Sequence, residues 1–287
     1  MAADNSEQIA DWNGPLGRRW VELQDVFDRF TQPFGDKAIE AAAVRTGDQV
    51  IDVGCGCGGS TLEIAMQAGP KGAVSGIDVS QPMLDLARRR AAAANLTNVS
   101  FTETDASNGR LPMQQDLLFS RFGVMFFAAP VPAFEHLRRS LKDTSLKNGG
   151  RMVFVCWRAP RENPWAMLPL MAAREAVGVT PPKADPHAPG PFAFADETRV
   201  RAILLEANFR DVEAEALDAP IWLGADLKSA AETAVQTGPV SRFMREHGAG
   251  HEEKVLEAVA KAIEPMAGKD GGYSLTGATW IVTAKAG

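Results

Sequence analysis

The sequence predicts an α/β fold in which a parallel sheet is covered by helices on both faces. Short apolar runs alternate with helical patterns from residue 46 to residue 158, as in "QVIDV" before "STLEIAMQA" and "AVSGIDV" before "PMLDLARRRAAAA". A glycine cluster follows the first apolar run, and a β-rich run, "YSLTGATWIVTAKA", closes the chain. Because strand-helix alternation requires right-handed crossovers, it produces a parallel sheet.

The residues before that alternation are helical. Apolar residues at helical spacing in "RRWVELQDVFDRFTQPFGDKAIEAAAV" predict two helices that break near Pro33 and Gly35. Residues 1–45 are therefore a helical lead-in, and residues 46–287 form the main domain. The further strands of its first half are predicted in "VSFTETDA", "QDLLFSRFG" and "GRMVFVCWR".

The pattern changes after Trp157. The proline-rich stretches "RAPRENPW" and "VTPPKADPHAPGPFAFAD" predict an ordered lid or crossover loop. A helix with Asp196 as its N-cap, a strand in "DVEAEALDAPIWL" and a helical insertion from Asp226 to about Lys269 follow. Residues 159–195 and 226–270 are predicted to be insertions that cap the main domain, and a capped pocket suits a small-molecule substrate.

Composition limits the class of partner. The chain has 287 residues, of which 45% are hydrophobic, and a formal net charge of -6. It is long enough for a substantial core, and it lacks the positive field that attracts a nucleic-acid backbone. No window approaches the roughly 18 apolar residues of a membrane span, and "MAADNSEQIADWNG" is not a secretory signal. We expect a cytoplasmic monomer or homodimer with no nucleic-acid partner and no membrane span.

The cysteines predict reduced thiols. Cys55, Cys57 and Cys156 are too few and odd in number for a disulfide framework. A C-x-C pair with a third cysteine would also suit a metal ion or a thiophilic substrate such as arsenite. Since Cys156 falls on a different strand and the spacing is not that of a metal site, no metal is expected.

The first strand-helix turn contains the motif G-x-G-x-G, formed by Gly54, Gly56 and Gly58. Glycines at this position let a ligand approach the backbone, and the following helix directs free N–H groups at it. Gly59 also completes G-x-G-x-x-G, the turn that holds a dinucleotide pyrophosphate. The motif alone leaves both ligands open.

Three carboxylates favour a ligand other than a dinucleotide. Asp78 ends the second strand, where a carboxylate accepts both hydroxyls of a ribose, and either ligand would use it. Asp52 lies inside the first strand, where an uncompensated carboxylate is costly and an ammonium group would balance it. Asp105 follows the third strand and is placed to accept an adenine amine. Together they suit S-adenosylmethionine, and no basic residue in the glycine turn offsets a phosphate.

With these residues the chain resembles the class I S-adenosylmethionine-dependent methyltransferases. The resemblance covers residues 46–158 and rests on "VIDVGCGCGG", "GIDVSQPMLDLAR", "TETDA", "LLFSRFGVMFF" and "LKNGGRMVFVCWR". It implies a Rossmann-like, mostly parallel sheet of seven strands whose antiparallel last strand is inserted between the fifth and the sixth. It also implies methyl transfer from S-adenosylmethionine, with S-adenosylhomocysteine as product. Family members often have a short hairpin where this chain has its helical insertion.

The resemblance also implies a set of cofactor contacts. Gly54, Gly56 and Gly58 would line the methionyl and ribose part, and Asp78 would hold the ribose hydroxyls. The adenine and methionyl contacts would be made by Val79, Met83, Asp105, Ala106 and the backbone of Ser120, with Trp20 of the lead-in closing over the cofactor.

Substrate contacts are expected at the carboxyl ends of the fourth and fifth strands. Four of the residues there are aromatic, and two are arginines: Arg121, Phe122, Met125, Phe126, Trp157, Arg158, Asn163 and Trp165. An aromatic pocket with arginines suits a flat, partly anionic acceptor, so O-methylation of a small aromatic or carboxylated molecule is favoured. In-line methyl transfer needs a general base only for acceptors that are not already ionised. No catalytic residue is identified; the candidates are His187, His247 and Arg121, followed by His136 and His251.

Three other functions stay open. "DVSQPMLDLARRR" is also similar to ubiquinone and menaquinone C-methyltransferases, which act on quinone precursors. A non-catalytic module that binds S-adenosylmethionine would keep the carboxylates and lack the acceptor pocket. A nicotinamide-dependent oxidoreductase shares the glycine turn, but the only tyrosine, Tyr273, falls just before the last strand and leaves no catalytic Tyr-Lys pair.

Overall fold

One mixed sheet forms the centre of the molecule. The computed structural model describes residues 5–143, 149–180, 185–269 and 271–287. Within these residues the strands are β1 (Gln49–Val53), β2 (Ala73–Asp78), β3 (Val99–Glu103), β4 (Leu117–Arg121), β5 (Arg151–Trp157), β6 (Phe209–Gly224) and β7 (Tyr273–Ala286). They form a seven-stranded sheet in the order β3-β2-β1-β4-β5-β7-β6.

The strand directions confirm the predicted fold. Strands β1 to β5 are parallel, and β7 pairs antiparallel with both β5 and β6, between which it lies. β1 is buried from Val50 to Val53, as expected of a parallel strand covered on both faces. Ile51, Leu117 and Phe119 are almost completely excluded from solvent in this core. The carboxyl ends of β1 to β5 therefore share one edge of the sheet.

Helices cover the sheet and close this edge. They are α1 (Ser6–Asn13), α2 (Pro15–Glu22), α3 (Gln24–Ala42), α4 (Gly59–Ala68), α5 (Gln81–Ala93), α6 (Pro130–Arg138), α7 (Pro164–Val177), α8 (Glu197–Glu206), α9 (Leu227–Gln236), α10 (Gly238–His247) and α11 (Glu252–Ile263). α4 packs against β2, α8 against β6, and α3 against β5 and β6.

The predicted helix break near Pro33 and Gly35 is wrong, because α3 continues through both residues. The burial of its apolar face, which includes Phe30 and Phe34, stabilises the helix by more than the loss of one backbone hydrogen bond at Pro33 destabilises it. Gly35 marks a close contact instead: a side chain there would lie 3.0 Å from Cδ of Arg121. The lead-in contains α1, α2 and α3, whose boundaries fall at residues 14 and 23.

The first proline-rich stretch leads into a helix that was not predicted. α7 begins at Pro164, where the missing N–H costs nothing, and buries Trp165, Leu170 and Ala173. The prediction of a loop missed this helix because it treated every proline as a helix breaker. A proline in the first turn of a helix, such as Pro164, does not break it. Residues 181–184 of the second proline-rich stretch lie outside the described residues.

The helical insertion between β6 and β7 is confirmed. It consists of α9, α10 and α11, and α9 starts at the predicted residue, Asp226, whose carboxylate accepts the Ser229 N–H at 2.9 Å. α11 packs against α7 and α9, so the insertion joins the helices that follow β5. Among the described residues, no helix is both long and apolar enough to cross a bilayer.

Candidate active site

A cavity opens at the carboxyl ends of the parallel strands. It contains about 1400 Å³ of space not filled by atoms, including its open mouth. The strand ends form its floor, the lead-in helices form its roof, and the residues at the start of α10 reach it from the insertion. Of the predicted cofactor contacts, those that line it are Trp20, Gly54, Gly56, Asp78, Val79, Met83, Asp105 and Ala106.

The glycine turn after β1 needs its glycines for both conformation and space. Gly54 and Gly56 have φ angles of 67° and 54°, in the left-handed region that glycine tolerates. A side chain on Gly54 would lie 2.8 Å from Cα of Gly123, and one on Gly56 would lie 2.8 Å from Cε of Met83. The turn therefore presents bare backbone to the cavity.

Asp78 is held by the backbone on two sides. Its Oδ2 accepts the Gly56 N–H at 2.8 Å, and its Oδ1 accepts the Ser80 N–H at 2.9 Å. Burial raises the pKa of the Asp78 carboxyl, and these backbone hydrogen bonds oppose the rise. A ligand with two adjacent hydroxyls would find a fixed acceptor here.

Asp105 is fixed in the same way on the neighbouring loop. Its Oδ1 accepts the Ser107 N–H at 2.8 Å and the side-chain amide of Asn5 at 2.9 Å. Asn5 is a residue that the sequence interpretation missed. The carboxylate and the adjoining Ala106 face the cavity beside Asp78.

Asp52, Gly58 and Ser120 do not line the cavity among the described residues. Gly58 directly precedes α4 and faces Ala87, while the Ser120 hydroxyl donates to the Val53 carbonyl at 2.7 Å and accepts the Gly123 N–H at 3.2 Å. Gly58 and the Ser120 hydroxyl thus lie behind the turn and do not face the cavity. The sequence alone does not reveal which residues of a turn face a ligand.

The carboxylate of Asp52 is buried directly beneath the turn. Its Oδ2 accepts the hydroxyls of Thr61 at 2.6 Å and Ser60 at 2.8 Å, while Oδ1 has no protein partner. Burial raises the pKa of Asp52 to about 6, against the opposing hydrogen bonds from Thr61 and Ser60. Ser60 lines the cavity, so an ammonium group bound nearby would stabilise the ionised form of Asp52.

A small ionic cluster lies between α3 and the glycine turn. Asp28 accepts from Arg90 at 2.7 Å and from Arg121 at 3.2 Å, and Arg90 also donates to the Cys57 carbonyl at 2.8 Å. Burial raises the pKa of Asp28, but the two guanidinium groups outweigh it and the net shift is downward. The ionised Asp28 therefore pairs with two arginine side chains. Asp28 and Arg121 line the cavity, and Arg90 does not.

The other end of the cavity is an aromatic chamber. Trp157 stacks on Phe122 with ring centroids 4.4 Å apart, and Trp165 lies 4.6 Å from Trp157 and 4.8 Å from Phe30. The Trp165 indole N–H donates to Asn163 at 2.9 Å, which fixes the orientation of the ring. The predicted substrate contacts that line the cavity are Arg121, Phe122, Met125, Phe126, Trp157 and Trp165.

Other predicted site residues lie elsewhere. Arg158 forms ion pairs with Glu162 and Asp218 and stacks on Trp280, so its charge is used away from the cavity. Asn163 is buried behind Trp165. His136 contacts the Gly109 carbonyl, the His247 ring packs at a tilt against Phe243, and His187 is exposed on its loop. Within the described part of the chain, no histidine lines the cavity.

The three thiols belong to the packed interior. Cys55 and Cys57 lie in the glycine turn and Cys156 lies in β5, each as a free and buried cysteine. Burial raises the pKa of Cys57 to about 12 and raises those of Cys55 and Cys156 as well. Among the described residues, no group of three or more histidine, cysteine or acidic side chains is arranged to hold a metal ion.

The sequence interpretation missed most of the roof. The lead-in helices supply Asn5, Gln8, Ile9, Trp12, Gln24, Phe27, Asp28, Phe30 and Thr31, and the insertion supplies Thr237 and Gly238. One feature of the sequence could have indicated that the lead-in lines the cavity, namely its aromatic residues Trp12, Trp20, Phe27 and Phe30. Their spacing equally fits an ordinary core face, and only the fold brings them over the strand ends.

The comparisons with known proteins agree with this geometry. The methyltransferase-domain family matches residues 50–144. The aklanonic acid methyltransferase DauC of Streptomyces sp. (strain C5) is 31% identical over 153 residues, which cover 52% of this chain and 67% of DauC. The nocamycin O-methyltransferase of Saccharothrix syringae is 28% identical over 214 residues, or 67% of this chain and 74% of that protein.

A solved structure shows the same fold. The YcgJ protein of Bacillus subtilis superposes with a TM-score of 0.55 at 17% identity, over 88% of this chain and 97% of YcgJ. The family match covers β1 through α6, which include the glycine turn and both cavity-facing aspartates at the strand ends. With this match and the likeness to DauC, the chain belongs to the S-adenosylmethionine-dependent methyltransferases.

Proposed function

We propose that the protein methylates an oxygen of a small aromatic molecule that arrives already ionised, as a carboxylate or an acidic phenol. The observation that carries this proposal is the division of one cavity into a carboxylate-rich end and an aromatic end. The first end suits the cofactor and the second suits a flat acceptor. The names of the relatives DauC and nocamycin O-methyltransferase support a small-molecule acceptor.

Several features support a placement of the cofactor in the first end. Asp78 accepts the ribose hydroxyls, Asp105 and Ala106 contact the adenine edge, and Val79 and Met83 pack on the adenine face. The bare backbone of Gly54 and Gly56 leaves room for the ribose and methionyl part. The unpartnered Oδ1 of Asp52 supports an electrostatic role toward the ammonium group. Gly58 and Ser120 hold the turn, and Trp20, stacked on Phe27 at 3.9 Å, closes the roof.

The second end determines the acceptor. Trp157, Trp165 and Phe122 offer flat apolar faces that stack well on an aromatic ring. The Arg121 side chain is only 17% exposed, and Asp28 already balances its charge. Arg121 can therefore donate a hydrogen bond to the acceptor, but it does not offer an uncompensated positive charge. One ionised oxygen on an otherwise apolar ring system is the acceptor that this surface favours.

The chemistry follows from the groups that the cavity contains. The cofactor supplies an electrophilic methyl group on a sulfonium. The chain aligns the acceptor oxygen with that methyl group and excludes water, which is sufficient when the oxygen is already an anion. Asp28 is a poor base because its pKa is lowered, and no histidine lines the described cavity. An acceptor that needs deprotonation in place is therefore disfavoured.

Radiolabelled methyl transfer tests the proposal. The protein is incubated with S-adenosylmethionine labelled in the methyl group and a panel of aromatic carboxylates, acidic phenols, aliphatic alcohols, amines and quinols. We expect label only in the first two classes, as base-labile esters or as stable ethers. Trp165→Leu should reduce transfer more than tenfold, while Trp280→Leu, outside the cavity, should not.

Two outcomes would replace the proposal. Label on a ring carbon of a quinol would favour the quinone-precursor C-methyltransferase. No transfer to any class by a protein that binds the cofactor would favour the non-catalytic module.

A further inference from the structure

Helix α1 covers the cavity without contributing to the core. Gln8, Ile9 and Trp12 line the cavity, yet no residue of α1 is buried. Apolar burial, which holds most helices in place, therefore contributes little to its position. Trp12 makes edge contacts with Trp20 and Phe126, and the remaining support of α1 comes from hydrogen bonds at its two ends.

At the first end, the side chain of Asn5 is used in an unusual way. Asn5 directly precedes α1, where asparagine normally caps the helix with its own side chain, but no such bond forms. Instead its amide donates to Asp105 at 2.9 Å, and its carbonyl oxygen accepts the Ala128 N–H at 2.9 Å. Asn5 is 8% exposed and links the loops that follow β3 and β4.

At the second end, the contacts go to the loop after β2. The Asn13 amide donates to the Val79 carbonyl at 2.7 Å, and its oxygen accepts the Gln81 N–H at 3.1 Å. The Ser80 hydroxyl donates to the Trp12 carbonyl at 2.7 Å. The two ends of the helix are therefore attached to the loop that contains Asp105 and to the residues that directly follow Asp78.

We propose that residues 5–13 form an N-terminal strap that closes over the adenosyl end of the cavity, and that Asn5 is the positioning residue that fastens it. Asn5 orients the Asp105 carboxylate toward the cofactor and fixes the strap in the closed position with the same side chain. This inference rests on the proposed placement of the adenosyl group at Asp78 and Asp105. Since Gln8, Ile9 and Trp12 line the same cavity as Asp78 and Asp105, we expect the strap to release before the cofactor leaves.

The rate at which the cofactor product dissociates tests the strap. Radiolabelled S-adenosylhomocysteine is bound to the full chain and chased with an excess of unlabelled compound. Asn5→Ala should accelerate dissociation about tenfold or more, as expected for the loss of a charge-assisted hydrogen bond. Asn5→Asp should accelerate it further, because its carboxylate would face that of Asp105 in place of a donor.

Two controls distinguish a role of Asn5 in holding the strap closed from a general effect on the stability of the fold. Aspartate caps a helix as well as asparagine does, so a role of Asn5 in starting α1 alone would leave Asn5→Asp like the wild type. Asn98→Ala removes an amide that donates to the carbonyls of Ala65 and Gly69 at 2.9 and 3.0 Å, away from the cavity. It should lower the melting temperature without changing the dissociation rate.

Dissociation at the wild-type rate from both Asn5 variants would overturn the strap, provided that Asp78→Ala still weakens binding. In that case the proposed cofactor site would stand without it. If Asp78→Ala binds S-adenosylhomocysteine like the wild type, both the cofactor placement and the strap are overturned.

Discussion

Single residues in the glycine turn have different roles although they are adjacent in sequence. Gly54 and Gly56 shape the surface, Cys55 and Cys57 fill the space behind it, and Asp52 carries a buried charge. The cysteines stand out in the sequence "GCGCGG", and both residues line the cavity, yet each is only 4% exposed. Small size is the property that this turn requires of them.

The thiols should therefore be unreactive in the folded protein. Burial raises the pKa of Cys57 to about 12, so almost no thiolate is present at pH 8. We expect negligible labelling of all three cysteines by a disulfide reagent under native conditions and complete labelling in denaturant. Rapid reaction of Cys55 or Cys57 in the native state would contradict this expectation. It would favour a role of the turn in binding a metal ion or a thiophilic substrate.

Asp52 should make stability depend on pH in a defined direction. Its pKa rises from 3.8 in the unfolded chain to about 6 in the fold, so the folded state holds the proton more tightly. The free energy of unfolding should fall by about 3 kcal/mol as pH rises from about 4 through about 6. Asp52→Asn keeps an acceptor for Ser60 and Thr61 without the charge, so it should be more stable than the wild type above pH 6.

Urea unfolding between pH 4 and pH 7.5 measures this difference. The gain from Asp52→Asn should shrink as pH falls toward 4, where Asp52 is protonated in the fold and partly protonated in the unfolded chain. An equal gain at every pH would contradict the assignment of the buried charge. The variant should also lose the rise in S-adenosylmethionine affinity that the wild type gains as Asp52 ionises.

At the scale of elements, α3 joins the roof to the glycine turn through one side chain. Asp28 pairs with Arg90 of α5 and Arg121 at the end of β4. A side chain on Gly59 would lie 2.8 Å from the Asp28 carboxylate, so the glycine permits this approach. The predicted lead-in helix is thus part of the site.

Asp28→Asn should destabilise the protein because it leaves two partly buried guanidinium groups without their carboxylate. We expect a loss of about 1 to 3 kcal/mol, below the value for a fully buried pair because Asp28 is 26% exposed. Asp36→Asn, an exposed position on the same helix, should cost almost nothing. Denaturant unfolding of the two variants compares them directly, and equal effects would remove the ionic link.

The elements that the sequence predicted well are those with a local signal. The β1 turn, Asp78 and Asp105 follow from strand periodicity and glycine spacing, and the order of β7 between β5 and β6 follows from the family resemblance. Pro33 and Pro164 were misread because a proline breaks a helix only when tertiary packing or helix position does not compensate. Arg158 was misplaced because its partners Glu162 and Asp218 are set by the fold.

At the scale of the whole molecule, segments that are distant in sequence enclose the cavity described above. The strand ends contribute Asp78 and Asp105, the lead-in contributes Asn5, Trp20 and Asp28, α7 contributes Trp165, and the insertion contributes Thr237 and Gly238. A side chain on Gly238 would lie 2.4 Å from the Trp165 ring, so the insertion fits closely against the aromatic chamber. The cap itself was predicted from the insertions, but a single sequence carries no pattern that tells which of their residues reach the cavity.

The central claim is that the carboxylate-rich end of this cavity binds S-adenosylmethionine through Asp78. Calorimetric titration of the purified chain with S-adenosylhomocysteine and with NADH tests it most directly. We expect the first to bind and NADH not to bind, with Asp78→Ala weakening the affinity about tenfold or more. Asp85→Ala, which removes an exposed partner of Arg88, should bind like the wild type. Binding of NADH alone, or unchanged affinity in Asp78→Ala, would contradict the account.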